Sequence, residues 1–342
     1  MSINAGLAHL SNGLLLTAVV IYAVAMLAFA CDFAFGKKRA PAVARVRVPE
    51  LVTAKAATGA AGGAGAGGSA PGGAEADAAA VQRAGRGPAG FWVTTAVVLT
   101  CVGLGLHSAG VLTRGLAVHR LPWGDMYEFV TALTCVAVAF FLGAMVRYRA
   151  YYMGLFVMVS VVLVLGLAET VIYTPAGELP PALQSYWLAI HVTAMTLATG
   201  IFFVAAVTGV TYLVVDRHAR RVAAGRPAGA DGILRRLPGP AELDRLAYRT
   251  VVFGFPVWTF GVMAGAIWAD YAWGSYWSWD PTETWAFITW VVYACFLHAR
   301  ATAGWRGRRA TVIQLTGFCC LLFNVLVVSL IIPGQHSYAG LH

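Results

Sequence analysis

The sequence has few charged residues. Asp, Glu, Lys and Arg make up 11% of its 342 residues, whereas a soluble protein contains about 25%. Hydrophobic residues reach 59%, and the mean hydropathy is +0.71. This balance excludes an ordinary soluble domain, a disordered chain and a fibrous repeat.

The sequence also lacks every common cysteine motif. Its six cysteines all lie in apolar stretches, and none belongs to a C-x-x-C, C-x-x-C-H or zinc-binding spacing. We therefore expect no disulfide framework, no thiol redox motif and no cysteine-held metal. No internal repeat is present either.

Long apolar runs are what the sequence has in abundance. A membrane helix needs about 20 mostly apolar residues to cross about 30 Å of hydrocarbon, and in lipid its backbone must be hydrogen-bonded internally. We predict an all-α polytopic membrane protein with about eight transmembrane helices, the seventh being short and extending into its flanks. The predicted spans are 10–35, 91–112, 126–146, 151–173, 186–215, 250–269, 284–299 and 310–332.

The basic residues predict how these helices are oriented. Of the 24 Lys and Arg residues, 22 lie in alternate connecting segments, which the positive-inside rule assigns to the cytoplasm. Both termini and the loops near 113–125, 174–185 and 270–283 are then extracytoplasmic. The net charge of +9 is thus explained by topology, and we expect no nucleic-acid partner.

The charge pattern also divides the chain into three parts. Residues 1–35 are predicted to form a retained first helix, because no Lys or Arg precedes it and the basic run 36–39 follows it. Residues 36–90 are basic and rich in Gly and Ala, which is typical of a flexible cytoplasmic linker. Residues 91–342 are predicted to form a seven-helix membrane domain.

Tryptophan is concentrated in one predicted outer loop. Six of the eleven tryptophans lie within 268–290, and Trp273, Trp277 and Trp279 are separated by Gly, Ser and Tyr. One interpretation is an aromatic belt at the bilayer surface. The alternative, which we favour, is a flat platform for a planar hydrophobic ligand.

The acidic residues after this tryptophan cluster have two interpretations. Asp280, Pro281 and Glu283 have the order of a helix capping box with proline at the first helical position. This pattern predicts that they start the seventh membrane helix. Direct chemistry by the two carboxylates is the alternative.

Four motifs, in the same order along the chain, resemble one protein family. The segment 268–285 resembles the WWD signature of haem-handling proteins of cytochrome c maturation. Residues 122–128, 186–192 and 334–338 are similar to the P-x-x-N-x-Y-E, Y-W-L-x-x-H-V and G-x-H-S-Y motifs of its CcsA/ResC-type members, often named CcsB in actinobacteria. Two departures are Arg120, near which the family has Gly-His, and Asp125, where it has Asn.

The resemblance implies haem b as ligand and substrate. It assigns His191 and His336 as axial ligands of a haem at the outer face, beside Trp273, Trp277, Trp279 and Asp280. Our topology is consistent with this, since it puts both histidines at the same membrane face. The predicted outer haem site comprises His191, His336, Trp273, Trp277, Trp279 and Asp280.

Three further residues are candidates for contacts with haem. His298 lies fifteen residues after Glu283, a rise of about 22 Å along a helix, and the resemblance implies that it binds haem inside the membrane before export. The alternative is a histidine that reaches towards Arg300. Arg114 and Arg120 are the only basic side chains on the predicted outer side, and we expect them to bind the haem propionates unless they only contact lipid headgroups.

The resemblance implies a system II cytochrome c synthase subunit in the bacterial plasma membrane. It would export haem and attach it to the C-x-x-C-H site of apocytochrome c, as a haem lyase that works with a ResB-type partner and an external thiol reductant. Because the substrate brings its own thiols, the protein would contribute positioning and no catalytic residue. The alternatives are a b-type electron-transfer subunit, a transporter of another planar aromatic ligand and an assembly scaffold for ResB.

Overall fold

The computed structural model describes residues 3–35, 90–148, 150–177, 183–225, 234 and 237–336. The predicted linker therefore lies outside the described residues, apart from Gly90. Within the described ranges the chain forms eight long α-helices and no strand. The helices are α1 (Ala5–Phe35), α2 (Phe91–Ala117), α3 (Met126–Tyr148), α4 (Gly154–Leu167), α5 (Tyr186–Ala223), α6 (Pro240–Trp273), α7 (Pro281–Ala301) and α8 (Arg308–Phe323).

Two helices continue into irregular helical turns at one end. A π-helical turn, Ala168–Ile172, follows α4, and another, Asn324–Val328, follows α8. With these extensions, every helix except α7 is long and apolar enough to cross a membrane. This confirms an all-helical, polytopic membrane protein.

The seventh predicted span is present as a helix but differs from the other seven. Helix α7 has 21 residues and extends into both flanks of the predicted stretch, as expected. Its threonines and aromatic residues lower its mean hydropathy, so it is not among the seven helices that are apolar enough to cross a membrane. It begins in the tryptophan-rich loop and carries both Glu283 and His298.

The helices pack around two main hydrophobic cores. One core is formed mainly by helices α1, α2, α3 and α4 and is centred on buried Tyr22, Phe29 and Phe141. The other joins α5 to α8, where the Phe202 and Tyr293 rings stack with their centroids 4.0 Å apart. The second core lies directly beneath the tryptophan-rich end, so it fixes the helices that carry the candidate site.

The predicted outer loops lie together at one end of the bundle. Asn4 bonds to the end of α2, and Gln335 bonds to Asp280 at the start of α7. At the other end, Arg300 forms a bidentate ion pair with Asp244, with N···O distances of 2.8 and 3.0 Å. This grouping agrees with the alternation of loops in the sequence, while the assignment of ends to membrane faces stays a prediction from charge.

A pair of glycines in α2 provides a test of this packing. A Cβ on Gly103 would lie 2.6 Å from the Tyr22 ring, whereas one on Gly105 would meet nothing within 4 Å. We expect Gly103→Ala to destabilise the protein by about 1–3 kcal/mol through overpacking. Gly105→Ala should be neutral or stabilising by up to about 1 kcal/mol. Thermal unfolding midpoints in detergent measure both, and equal midpoints would contradict the described α1–α2 contact.

Candidate functional site

The site begins with a close approach between α5 and α6. His191 and Met195 are four residues apart on α5, and they face Gly261 and Gly265, four apart on α6. A Cβ on Gly265 would lie 2.6 Å from His191, and one on Gly261 would lie 2.6 Å from the Met195 sulfur. This G-x-x-x-G pair lets the two helices come close enough to hold the histidine ring between them.

His191 is fixed by the backbone of α6. Its Nδ1 lies 2.8 Å from the carbonyl oxygen of Gly261. A carbonyl can only accept, so Nδ1 carries the proton and Nε2 keeps its lone pair. The ring also stacks on Trp268, with centroids 6.0 Å apart and planes 15° apart. The imidazole is therefore held in one orientation and one tautomer.

The capping box predicted for α7 is present. The Asp280 carboxylate accepts a hydrogen bond from the Thr282 N–H, and Glu283 accepts from the N–H groups of Asp280 and Ser278. Pro281 occupies the first helical position. The structural interpretation of these two carboxylates is confirmed, and Asp280 has further partners besides.

Asp280 ties the C-terminal loop to the start of α7. Its Oδ1 accepts from the Gln335 N–H at 2.6 Å, and its Oδ2 lies 2.9 Å from Nδ1 of His336. Burial alone would raise the pKa of Asp280, but the bonds from His336, Gln335 and Thr282 outweigh burial and lower this pKa below its ordinary value. The carboxylate is thus held ionised, and His336 Nδ1 donates to it, which leaves Nε2 free.

Both histidines line the same pair of adjoining cavities. The larger has a volume of about 170 Å³ and the smaller about 80 Å³. Trp268 lies against both imidazoles, with its ring centre 5.7 Å from that of His336. Apolar and aromatic side chains, including Phe129 and Trp258, form most of the wall of the larger cavity. The residues common to both cavities are His191, Met195, Thr282, Asn324 and His336.

The rings of the three predicted tryptophans do not lie in one plane, so the prediction of a flat platform is wrong. Trp277 and Trp279 meet edge to face, 5.7 Å and 88° apart, which is the arrangement that aromatic quadrupoles favour. Trp279 also has a left-handed backbone, with φ +58°, and is 67% exposed. Trp273 instead packs on His336, at 5.1 Å, and Trp277 lines the smaller cavity.

Arg114 and Arg120 converge on a single buried carboxylate. Glu128 lies 3.2 Å from Arg114 and 2.7 Å from Arg120, and it is fully buried. Neither arginine lines either of the two histidine cavities. Binding of propionates by these arginines stays a prediction, and such a ligand would have to compete with Glu128.

Asp125 explains one departure from the family pattern. Its Oδ1 accepts from the Glu128 N–H at 2.8 Å, which is how a residue caps the start of α3. Asn caps a helix equally well, so the change from Asn to Asp keeps the turn. Asp125 lines the larger cavity, and burial, assisted by the neighbouring Glu128 charge, raises its pKa.

His298 is not brought together with His191 and His336. It is exposed on α7, one turn before Thr302, whose N–H and hydroxyl both donate to the His298 carbonyl. It lies close in sequence to Arg300, at the end of the bundle opposite the cavities. Its predicted role as an inner haem ligand stays a prediction.

Four residues of this region were not predicted from the sequence. Met195, Thr282 and Asn324 line both cavities, and Glu128 forms ion pairs with both arginines. The spacing of four between His191 and Met195 is a signal that could have found the methionine, because such residues share one helix face. Asn324 had no such signal, because its position depends on the π-helical turn.

The fold and site define a multi-pass helical membrane protein with two cavity-facing histidines at one end. Residues 123–336 match the family described as cytochrome C assembly protein. That span contains both histidines and the tryptophan-rich loop.

Curated relatives place the chain within this family. It is 34% identical to the cytochrome c biogenesis protein CcsA of Gloeobacter violaceus over 284 residues, covering 69% of this chain and 84% of the relative. It is 42% identical to CcsA of Chlamydomonas reinhardtii over 163 residues, which cover 48% of this chain and 43% of that one. The chain belongs to the cytochrome c assembly protein family, and within it to the CcsA-type cytochrome c biogenesis proteins.

A solved structure has a similar fold. The cytochrome c haem lyase CcmF covers 96% of this chain with a TM-score of 0.59 and 16% sequence identity. The matched part is 47% of the CcmF chain, so this chain spans about half of that protein. At this identity the likeness concerns the fold. The family membership gives the chain a role in cytochrome c maturation.

The arginine cluster generates a prediction about stability. Glu128→Gln would remove the nearer counter-charge of the buried Arg114 guanidinium and leave only Asp125, 3.8 Å away, so we expect a loss of about 3 kcal/mol. Asp216→Asn is the control, because Asp216 pairs with a largely exposed Arg220 one turn away, and such pairs contribute about 0.3–0.5 kcal/mol. Thermal unfolding in detergent compares the two variants. Similar midpoints would contradict a buried cluster at Glu128.

Proposed function

We propose that this protein holds haem at the outer face of a bacterial plasma membrane and presents it for covalent attachment to apocytochrome c. One observation carries the proposal. His191 and His336 come from distant parts of the chain, yet both line the same cavities, and each has Nδ1 engaged and Nε2 free. That is the protonation pattern that two axial imidazole ligands require.

The walls around the two histidines suit a porphyrin chemically, and the cavities, at about 170 and 80 Å³, would have to widen to admit one. Trp268 and Trp273 contact the imidazoles, and the larger cavity is mostly apolar. A porphyrin is planar and hydrophobic, so aromatic and aliphatic side chains would exclude water from its faces. Haem b, as the substrate, would supply the iron and two vinyl groups. His191 and His336 would hold and orient it.

The chemistry of attachment places few demands on this chain. Each cysteine thiol of a C-x-x-C-H site adds its sulfur to one carbon of a haem vinyl group, and the thiol proton ends on the other carbon. No bond of the protein breaks, so fixing the haem against the incoming peptide lowers the entropic cost. The cysteines must arrive reduced, which implies an external thiol reductant.

The proposal includes haem delivery and a membrane partner. Exposed His298 would bind haem on the inner side before export, with the second ligand supplied by a ResB-type protein. Its exposure on α7 supports this, because an imidazole on the outer surface of the bundle is accessible to another membrane chain. The lyase activity would then belong to the assembly of the two proteins.

Removal of one histidine tests the outer haem site. We expect His336→Ala to lose most of its bound haem and to block covalent cytochrome c formation, with partial rescue by added imidazole. His9→Ala is the control, because His9 is exposed and lines neither cavity. The measurements are the visible spectrum of purified protein and haem staining of cytochrome c. Unchanged spectra and staining in His336→Ala would refute the axial role.

A glycine substitution tests the geometry of His191 without removing it. Gly265→Ala would place a Cβ 2.6 Å from the imidazole, so we expect the ring to move and the haem spectrum to change from six-coordinate to five-coordinate. Gly143→Ala is the matched control, since a Cβ there meets nothing within 4 Å. A six-coordinate spectrum in both variants would count against His191 as a ligand.

A further inference from the structure

A separate polar cavity lies at the end of the bundle opposite the two histidines. It has a volume of about 140 Å³ and lies between the turn that precedes α4 and the first turns of α6. Tyr152 lines it from that turn, and α6 contributes Glu242, Arg245, Leu246 and Arg249. Neither arginine forms an ion pair with any residue that the structure describes. Both guanidiniums are therefore available to a ligand.

The length of α6 places this cavity at the level of lipid headgroups. Trp273 ends the helix at the tryptophan-rich end, and tryptophan is enriched at membrane–water interfaces. Arg249 and Arg245 lie 24 and 28 residues before Trp273, which corresponds to a rise of about 36 and 42 Å along the helix. A bilayer measures about 40–45 Å when both headgroup layers are included. The two guanidiniums therefore lie at the opposite headgroup layer.

An exposed apolar stripe continues from the two arginines along α6. Arg245 and Arg249 are followed by Phe253, Phe260 and Met263, at spacings of four, four, seven and three residues. These spacings keep all five residues on one face of a helix. The three apolar side chains are each more than half exposed, so in a membrane they contact acyl chains. A free phosphate ion would make no contact with this stripe, whereas a phospholipid would lie along it.

The charge of the cavity matches that of one phosphodiester. Its two guanidiniums and the Glu242 carboxylate leave one positive charge in excess. Guanidinium groups bind phosphate oxygens through charge-assisted hydrogen bonds, and the Tyr152 hydroxyl is a further donor. A phosphatidylglycerol headgroup carries one negative charge and would leave the cavity neutral. A phosphatidylcholine headgroup has no net charge and would bring a quaternary ammonium close to the arginines.

We propose that this cavity binds the headgroup of an anionic phospholipid, phosphatidylglycerol, whose acyl chains lie along the apolar stripe of α6. The inference is independent of the proposed function, since it requires no haem. It gives α6 an anchor at each end. The lipid holds the end that carries Arg245 and Arg249, and the close contacts of Gly261 and Gly265 with α5 hold the other.

Native mass spectrometry of the delipidated full-length protein tests this site. The protein is titrated in a neutral detergent with phosphatidylglycerol, or with phosphatidylcholine of the same acyl chains, and the fraction that carries one lipid gives the dissociation constant. We expect phosphatidylglycerol to bind more tightly. A basic side chain near the membrane surface strengthens the binding of anionic lipid about fivefold. The double variant Arg245→Gln/Arg249→Gln should therefore bind phosphatidylglycerol about 25-fold more weakly, with phosphatidylcholine little affected.

Two further variants distinguish the cavity from general surface charge. The double variant Arg217→Gln/Arg221→Gln is the matched control, because these exposed arginines are also four residues apart, lie on α5 at the same end of the bundle and do not line the cavity. Its affinity for phosphatidylglycerol should equal that of the wild type. Glu242→Gln removes the negative charge of the cavity, so it should tighten phosphatidylglycerol binding severalfold. A variant that merely disturbed the fold would not tighten it.

Four results would overturn the inference. They are equal affinity of the wild type for the two lipids, equal weakening in the α5 control variant, weaker phosphatidylglycerol binding by Glu242→Gln, and displacement of the lipid by inorganic phosphate. The last of these would assign the cavity to a free phosphate. Haem binding at His191 and His336 is unaffected by any of these results, so the proposed function is tested separately.

Discussion

The bond between Asp280 and His336 is the contact on which the geometry at the tryptophan-rich end of the bundle depends. One carboxylate joins the start of α7 to the loop that follows α8, and so it unites two segments 56 residues apart in sequence. Gln335 ties the same loop to Asp280 and Ser278, but only the bond to Asp280 holds the His336 ring itself. With it, the histidine faces the same cavities as His191, which is held independently by the backbone of α6. Two separate anchors therefore converge on one space.

The rest of the fold is organised to support these anchors. The glycines of α6 admit His191, and the aromatic core of α5 to α8 fixes the spacing between the helices. The first four helices contribute the turn that carries Asp125, which closes one side of the larger cavity. Glu128 stabilises that turn by pairing with both guanidiniums, and Asp125, 3.8 Å from Arg114, supplies a second negative charge where unpaired charge would be costly.

Hydropathy predicted the helices well because a membrane helix must be both long and apolar. The capping box at Asp280 was also predictable, since its residues are adjacent in the chain. The orientation of the tryptophan rings was not, because it depends on the left-handed backbone at Trp279. The pairing of Arg114 and Arg120 with Glu128 required knowledge of tertiary contacts, which composition and spacing do not contain. Their expected availability for a ligand came from topology alone.

The hydrogen bond from His191 to Gly261 has an evolutionary consequence. Its acceptor is a main-chain oxygen, which every amino acid possesses, so no side-chain replacement at that position can delete the acceptor itself. What mutation can destroy is the room beside it, which exists only while residues 261 and 265 remain glycine. Selection at the His191 half of the site would therefore act on the absence of side chains at residues 261 and 265. Selection at the His336 half would act on one acidic side chain, Asp280.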